Sequence, residues 1–223
     1  MTFSKLTTDG YILFGTRDVR MFAYGFLSVV LVLYLAQLGL SQGLIGLLLS
    51  LTLFGDAVIS LWMTTTADRV GRRRILIAGA ALMLFAGILF AATDRVELLL
   101  IAAIFGVISP SGYEVGPFLP VEQAVLSQIV PDEQRTQTLA WYNLAGSFAT
   151  AGGALCGGGL TQLLQQIGVI PLNSYRTVVV VYGVIGVLLA LLFTRYPPRS
   201  RRHIRTLRRR GTASACIVLA VLC

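Results

Sequence analysis

A helix that crosses the hydrocarbon of a bilayer must carry about 20 predominantly apolar residues. Six stretches of this chain meet or approach that requirement: residues 20–39, 43–63, 75–93, 97–117, 138–160 and 177–194. Short gaps holding most of the charge separate them. A seventh apolar run, residues 212–223, has 12 residues and is too short to span. The chain as a whole is 56% hydrophobic and 13% charged, against about 25% charged in soluble domains. Its mean hydropathy is +0.78. So few charges do not cover so much apolar surface in water. The expected fold is an all-α membrane protein of six transmembrane helices.

The gaps also orient the bundle. The net charge of +8 would suit nucleic acid if it formed a surface patch, but the cations sit between apolar runs, and no nucleic-acid partner is expected. With the N-terminus placed in the cytoplasm, 16 of the 18 Lys and Arg fall on the cytoplasmic side. Only Arg95 and Arg176 fall outside. This is the positive-inside pattern. It predicts an integral protein of the cell (inner) membrane with both termini cytoplasmic and no cleaved signal peptide. The lipid bilayer is then the first partner. Pro197 and Pro198 stop the sixth helix, and eight arginines from Arg195 to Arg210 follow. Near anionic headgroups each arginine is worth about 1 kcal/mol. The expected divisions are a cytoplasmic segment at 1–19, a six-helix bundle at 20–194, a basic cytoplasmic loop at 195–211 and an apolar stub at 212–223.

Catalysis and cofactors are not expected. The three cysteines, Cys156, Cys216 and Cys223, have no paired spacing that suggests disulfides or a metal site. The single histidine, His203, lies in the basic loop, so Ser111 has no base beside it within the membrane. Asp56 follows Leu-Phe-Gly, not the Gly-x-Gly that precedes an intramembrane protease aspartate.

Ionisable groups inside a span cost about 2.5–3.5 kcal/mol at the helix centre, so each is a functional candidate by default. Asp56 lies about 18 Å from the outer end of the second helix, near mid-membrane. Glu114 lies in the cytoplasmic third of the fourth, flanked by Pro110, Pro117 and Pro120, which remove backbone donors. Irregular backbone at depth is tolerated only where protein or a water-filled cavity covers it, so Glu114 reads as cavity-lining. Both carboxylates are candidates for substrate contact or proton coupling. Glu122 is expected near the cytoplasmic interface, solvated or paired. On the fifth helix Ala145, Ala149, Gly153 and Gly157 recur every four residues, a face for close helix packing.

The turn between the second and third helices, "TTTADRVGRRRILIAG" (residues 64–79), packs five charges into seven residues. The positive-inside rule accounts for its arginines. Asp68 and Gly71 need another reason. Gly71 can take a positive φ and turn the chain tightly, and Asp68 is expected near the N-terminal end of the third helix, where a carboxylate is favoured. Such a cluster can lock to neighbouring helix ends and release them.

This turn resembles the loop 2–3 signature of the major facilitator superfamily. Ala67, Asp68, Arg69, Gly71, Arg72, Arg73 and Leu76 match in register, while Thr64 and Thr66 replace its first glycine and its leucine. Residues 131–147 resemble the loop 4–5 region and fifth-helix entry of bacterial members. Gly158 and Leu144 depart from the family's antiporter signature on that helix. The resemblance implies an N-terminal half built as two inverted three-helix repeats, and a secondary carrier of small molecules working by alternating access. It makes Asp68, Arg69, Gly71, Arg72 and Arg73 a gating latch. It places helices 1 and 4 along the cavity, adding Arg20 and Tyr24 to Glu114 and Asp56. A latch needs an opposite half, so a C-terminal half or a second six-helix half is an implied partner. The competing expectation is a truncated or orphan half that does not transport, or a structural membrane subunit.

Overall fold

The computed structural model describes residues 8–195, except 111, 113–117, 120, 121, 124, 125, 127–129 and 131. The basic loop and the apolar stub lie outside the described residues. Six named helices follow one another: α1 (Thr8–Gln37), α2 (Gln42–Val70), α3 (Arg72–Ala92), α4 (Val96–Phe105), α5 (Asp132–Gln166) and α6 (Pro171–Arg195). No strand occurs among the described residues. Among the described residues, four stretches are long and apolar enough to cross a membrane: Phe14–Gln37, Gln42–Thr66, Arg73–Ala92 and Pro171–Thr194. α4 has only 10 residues. α5 has 35, but glycine, glutamine and threonine dilute its apolar character.

The helices run beyond the apolar stretches that signal them, because helical backbone continues through the polar interface. α1 begins twelve residues before Arg20 and carries Arg17 and Arg20 within it. α2 continues past Met63 to Val70. α1 and α5 end alike. Leu40 N–H reaches Leu35 O and Gly39 N–H reaches Ala36 O at α1; Val169 and Gly168 do the same to Leu164 and Gln165 at α5. These paired bonds are Schellman closures with a glycine past the helix end.

The expected fourth helix, 97–117, is not continuous. It stops at Phe105, and Gly106 is extended at φ −83° and ψ 141°. Residues 107–109 follow without helical backbone, and helix is found again at Phe118, Leu119, Glu122, Gln123 and Leu126. Pro110 supplies the reason: it disfavours α geometry at Ser109 and has no amide to donate.

The packing follows a three-helix repeat. α1 lies on α5 and α2 on α4; α1 lies on α6 and α3 on α4; α5 meets α6 and α2 meets α3; α3 packs on α6. Exchanging helices 1, 2, 3 with 4, 5, 6 maps each of these pairings onto another or onto itself, whereas the contact between α1 and α2 has no counterpart between α4 and α5 among the described residues. Small residues allow the closest contacts. A Cβ on Gly153 would lie 2.1 Å from the Phe22 carbonyl oxygen, and one on Gly157 2.3 Å from that of Phe26. The repeat partner of this contact joins α2 to α4, where a Cβ on Gly55 would lie 2.2 Å from the Ile104 carbonyl oxygen. The core enclosed by these pairs includes Tyr24, Leu27, Leu31, Ala80, Met83, Ala103 and Tyr182.

Candidate functional site

Among the described residues, three groups of polar residues lie at the α2–α3 turn, at the start of α1 and at the middle of α2, apart from the exposed Arg176–Asp94 ion pair that joins the start of α6 to the α3–α4 connection.

At the turn, Gly71 precedes α3 with φ +106° and ψ 127°. Nothing lies within 4 Å of a Cβ placed there, so backbone conformation, not space, calls for glycine. Its carbonyl accepts from Arg74 N–H at 3.0 Å and Ile75 N–H at 3.3 Å, opening the helix. Asp68 is not at the N-terminal end of α3 as expected. Since α2 continues to Val70, Asp68 belongs to the last turn of α2, where the helix dipole disfavours a carboxylate. The side chains of Asp68 and Arg72 lie outside the described residues. Arg69 shares that last turn, where a cation is favoured. Arg73 reaches across to α6: its Nε donates to Phe193 O at 3.1 Å and its Nη2 to Thr194 O. Carbonyls in a last helical turn lack intrahelical donors, and here an arginine supplies them.

The second group is a closed ion-pair network. Arg20 donates from Nη1 to Glu122 Oε1 at 2.9 Å and from Nη2 to Oε2 at 2.7 Å. Both side chains are fully buried, at 0% exposure. Tyr142 O–H, on α5, donates to Glu122 Oε2 at 2.6 Å. The Phe118 ring lies beneath the Arg20 guanidinium at 4.2 Å and stacks on Phe193 of α6. Arg17 covers the Tyr142 ring at 4.0 Å and donates to Tyr142 O and Asn143 Oδ1. Four segments are thereby joined. Removing one member of a buried pair leaves the other charge uncompensated, at about 3–5 kcal/mol. Sequence reasoning placed Arg20 beside the cavity and Glu122 at the interface. It did not mark Arg17 or Tyr142. The usable signal was that a buried cation within a span demands an acid.

The third group is open. Tyr24 is buried on α1, its ring 6.5 Å from that of Tyr182 on α6. Tyr182 O–H donates to Val107 O at 2.6 Å, where α4 has broken. Asp56 is 1% exposed, and its Oδ1 has no hydrogen-bond partner among the described residues. Thr52 is buried one turn earlier, its Oγ1 donating to Leu48 O at 2.9 Å. Glu114 lies outside the described residues.

A bundle of this topology, with ionisable groups enclosed at depth, has the fold of a membrane transport family. The profile of the Major Facilitator Superfamily matches residues 18–221, and the chain belongs to that transporter family. It is 38% identical over 183 residues to the uncharacterized membrane protein YJR124C of Saccharomyces cerevisiae, a match covering 81% of this chain and 41% of the relative. It is 27% identical over 167 residues to a Na(+), Li(+), K(+)/H(+) antiporter of Planococcus maritimus, covering 74% and 37%. The quinolone resistance protein NorA of Staphylococcus aureus is 22% identical over 178 residues, covering 80% and 42%. The chain spans less than half the length of these relatives. The crystal structure of a D-xylose-proton symporter superposes with a TM-score of 0.65 at 19% identity, covering 94% of this chain and 53% of the symporter. That likeness concerns the fold.

Proposed function

We propose that this chain is one six-helix half of a secondary transporter that moves a small, neutral or weakly charged molecule by alternating access, with a carboxylate at mid-membrane coupling transport to a cation gradient. The buried Asp56, whose Oδ1 has no donor among the described residues, carries the reading. A charge at that depth is expensive unless neutralised, and a group that takes up and releases a cation makes that expense part of a cycle. Glu114 is the second coupling candidate. Arg20 and Tyr24 hold the surrounding interior, and Arg20 does so through its bond to Glu122.

The α2–α3 turn is assigned the latch. Arg73 closes on the end of α6 within the half, while Asp68, Arg69 and Arg72 are assigned to grip an opposite six-helix half. The protein then sits in the cell membrane with the α2–α3 turn facing the cytoplasm. The coupling cation is named as a proton or an alkali ion by analogy with the antiporter and the symporter among its relatives.

Reconstitution tests the reading. The purified full chain in proteoliposomes, alone and with a co-expressed C-terminal half of a relative, is given pH and Na+ gradients and a panel of D-xylose, a fluoroquinolone and alkali ions. Gradient-driven uptake is expected in at least one arrangement, falling at least tenfold in Asp68→Asn. Flux equal to that of empty vesicles in every arrangement overturns transport and favours a structural subunit.

A further inference from the structure

α3 and α6 are tied together at both ends, each time by an arginine near the start of one helix that reaches the end of the other. At one end Arg73 of α3 donates to Phe193 O and Thr194 O of α6. At the other, Arg176 of α6 donates from Nη2 to Oδ1 of Asp94, just past the end of α3, at 2.5 Å. The two ties correspond under the exchange of repeats, yet their chemistry differs.

At the Arg73 end the acceptors are main-chain carbonyls in the last turn of a helix. They carry no net charge for salt to screen, and no side-chain exchange removes them. The Phe118 ring is wedged between the same two helices. It stacks on Phe193 of α6 with centroids 6.2 Å apart, and it fills the space before Gly79 of α3, where a Cβ would lie 2.6 Å from the Phe118 Cζ. Both rings are buried.

The Arg176 end is held by a solvent-facing ion pair, its side chains 32% and 62% exposed. Such pairs contribute little to stability and weaken with salt. Beside it the helices meet through glycine. A Cβ on Gly87 would lie 2.7 Å from Gly183 Cα, and one on Gly186 3.1 Å from Leu84 N. Backbone passes backbone there, and no glycine side chain interlocks the pair. Each helix end also has a hold of its own. Tyr34 O–H of α1 donates to Phe90 O of α3 at 2.5 Å, and Gln165 Nε2 of α5 donates to Ser174 Oγ of α6 at 3.1 Å. The two ends are thus able to part without either helix unwinding.

We propose that Arg176 and Asp94 form a releasable clasp on the α3–α6 pair, whose opposite end, at Arg73, is the fixed pivot. The bundle then has one stiff face and one face that opens locally. The device belongs to this half alone, and its test involves neither a substrate nor an opposite half.

Amide hydrogen exchange reads local opening of this kind. It is followed on the purified full chain in detergent, at about 0.01 M and about 1 M NaCl, where the screening length falls from about 30 Å to about 3 Å. Peptides from 84–94 and 171–183 report the Arg176 end; those from 72–80 and 188–195 report the Arg73 end. The expected result is exchange at least threefold faster at the Arg176 end in high salt, with the Arg73 end unchanged. Asp94→Asn and Arg176→Gln are each expected to show the fast rate already in low salt and to lose the salt response. The double variant is expected to be no faster than either single one, since both open the same clasp. No salt response at the Arg176 end overturns the proposal. An equal response at both ends does so too, because it reports general loosening. A salt response that survives in Asp94→Asn, or additive effects in the double variant, would assign the opening to other contacts and overturn it as well.

Discussion

Arg20 and Asp56 are both ionisable, both wholly buried and both within helices of one bundle, yet their surroundings are opposite. Arg20 meets a bidentate carboxylate, and that carboxylate also accepts from Tyr142. Asp56 meets no donor at Oδ1 among the described residues. A buried charge with its partners in place joins elements and holds them in register. A buried acceptor left unmatched is stable only if something else occupies it. The first region therefore reads as architecture and the second as function, and substitution separates them.

The largest effect belongs to Glu122→Ala. It strands the Arg20 guanidinium in the interior and is expected to destabilise the fold by about 3–5 kcal/mol, seen as a lower unfolding midpoint and lower yield of monodisperse protein. Replacing both partners, Arg20→Met with Glu122→Leu, is expected to recover most of that loss, because a well-packed apolar pair has no charge to strand. A double variant as unstable as the single one would break the comparison.

Gly153→Val comes next. The side chain enters space taken by the Phe22 carbonyl and forces α1 and α5 apart, at about 1–3 kcal/mol in the manner of an overpacked core. Tyr142→Phe removes one hydrogen bond to a buried carboxylate and is expected to cost about 1.5–3 kcal/mol, leaving the Arg20–Glu122 pair in place. The smallest effect is predicted for Asp56→Asn, within about 1 kcal/mol of the parent in cation-free buffer, since the exchange breaks no bond made by Oδ1. A large loss there would make Asp56 structural.

The layout of helices was legible because each span must supply its own apolar length and the gaps carry the charge. The break in α4 was signalled by Gly106 and Pro110, although the apolar run passes through both without interruption. Arg20 and Glu122 are 102 residues apart, on α1 and beyond the break in α4, and no local pattern joins them. The position of Asp68 was missed for a simpler reason. Apolarity ends near Met63, but helical backbone persists to Val70, because polar residues at an interface keep their helical hydrogen bonds. The reach of Arg73 to α6 follows from the meeting of two helix ends, which only the packing reveals.

The most direct measurement compares Asp56→Asn and Glu122→Gln in one assay, the unfolding midpoint of each purified variant as a function of Na+ at constant ionic strength. Glu122→Gln is predicted to begin lower than the parent and still rise with the ion. Asp56→Asn is predicted to begin close to the parent and not to rise. The reverse pattern, with a destabilised Asp56→Asn that still responds and a stable Glu122→Gln that does not, would contradict the division of the interior into an architectural pair and a functional acceptor.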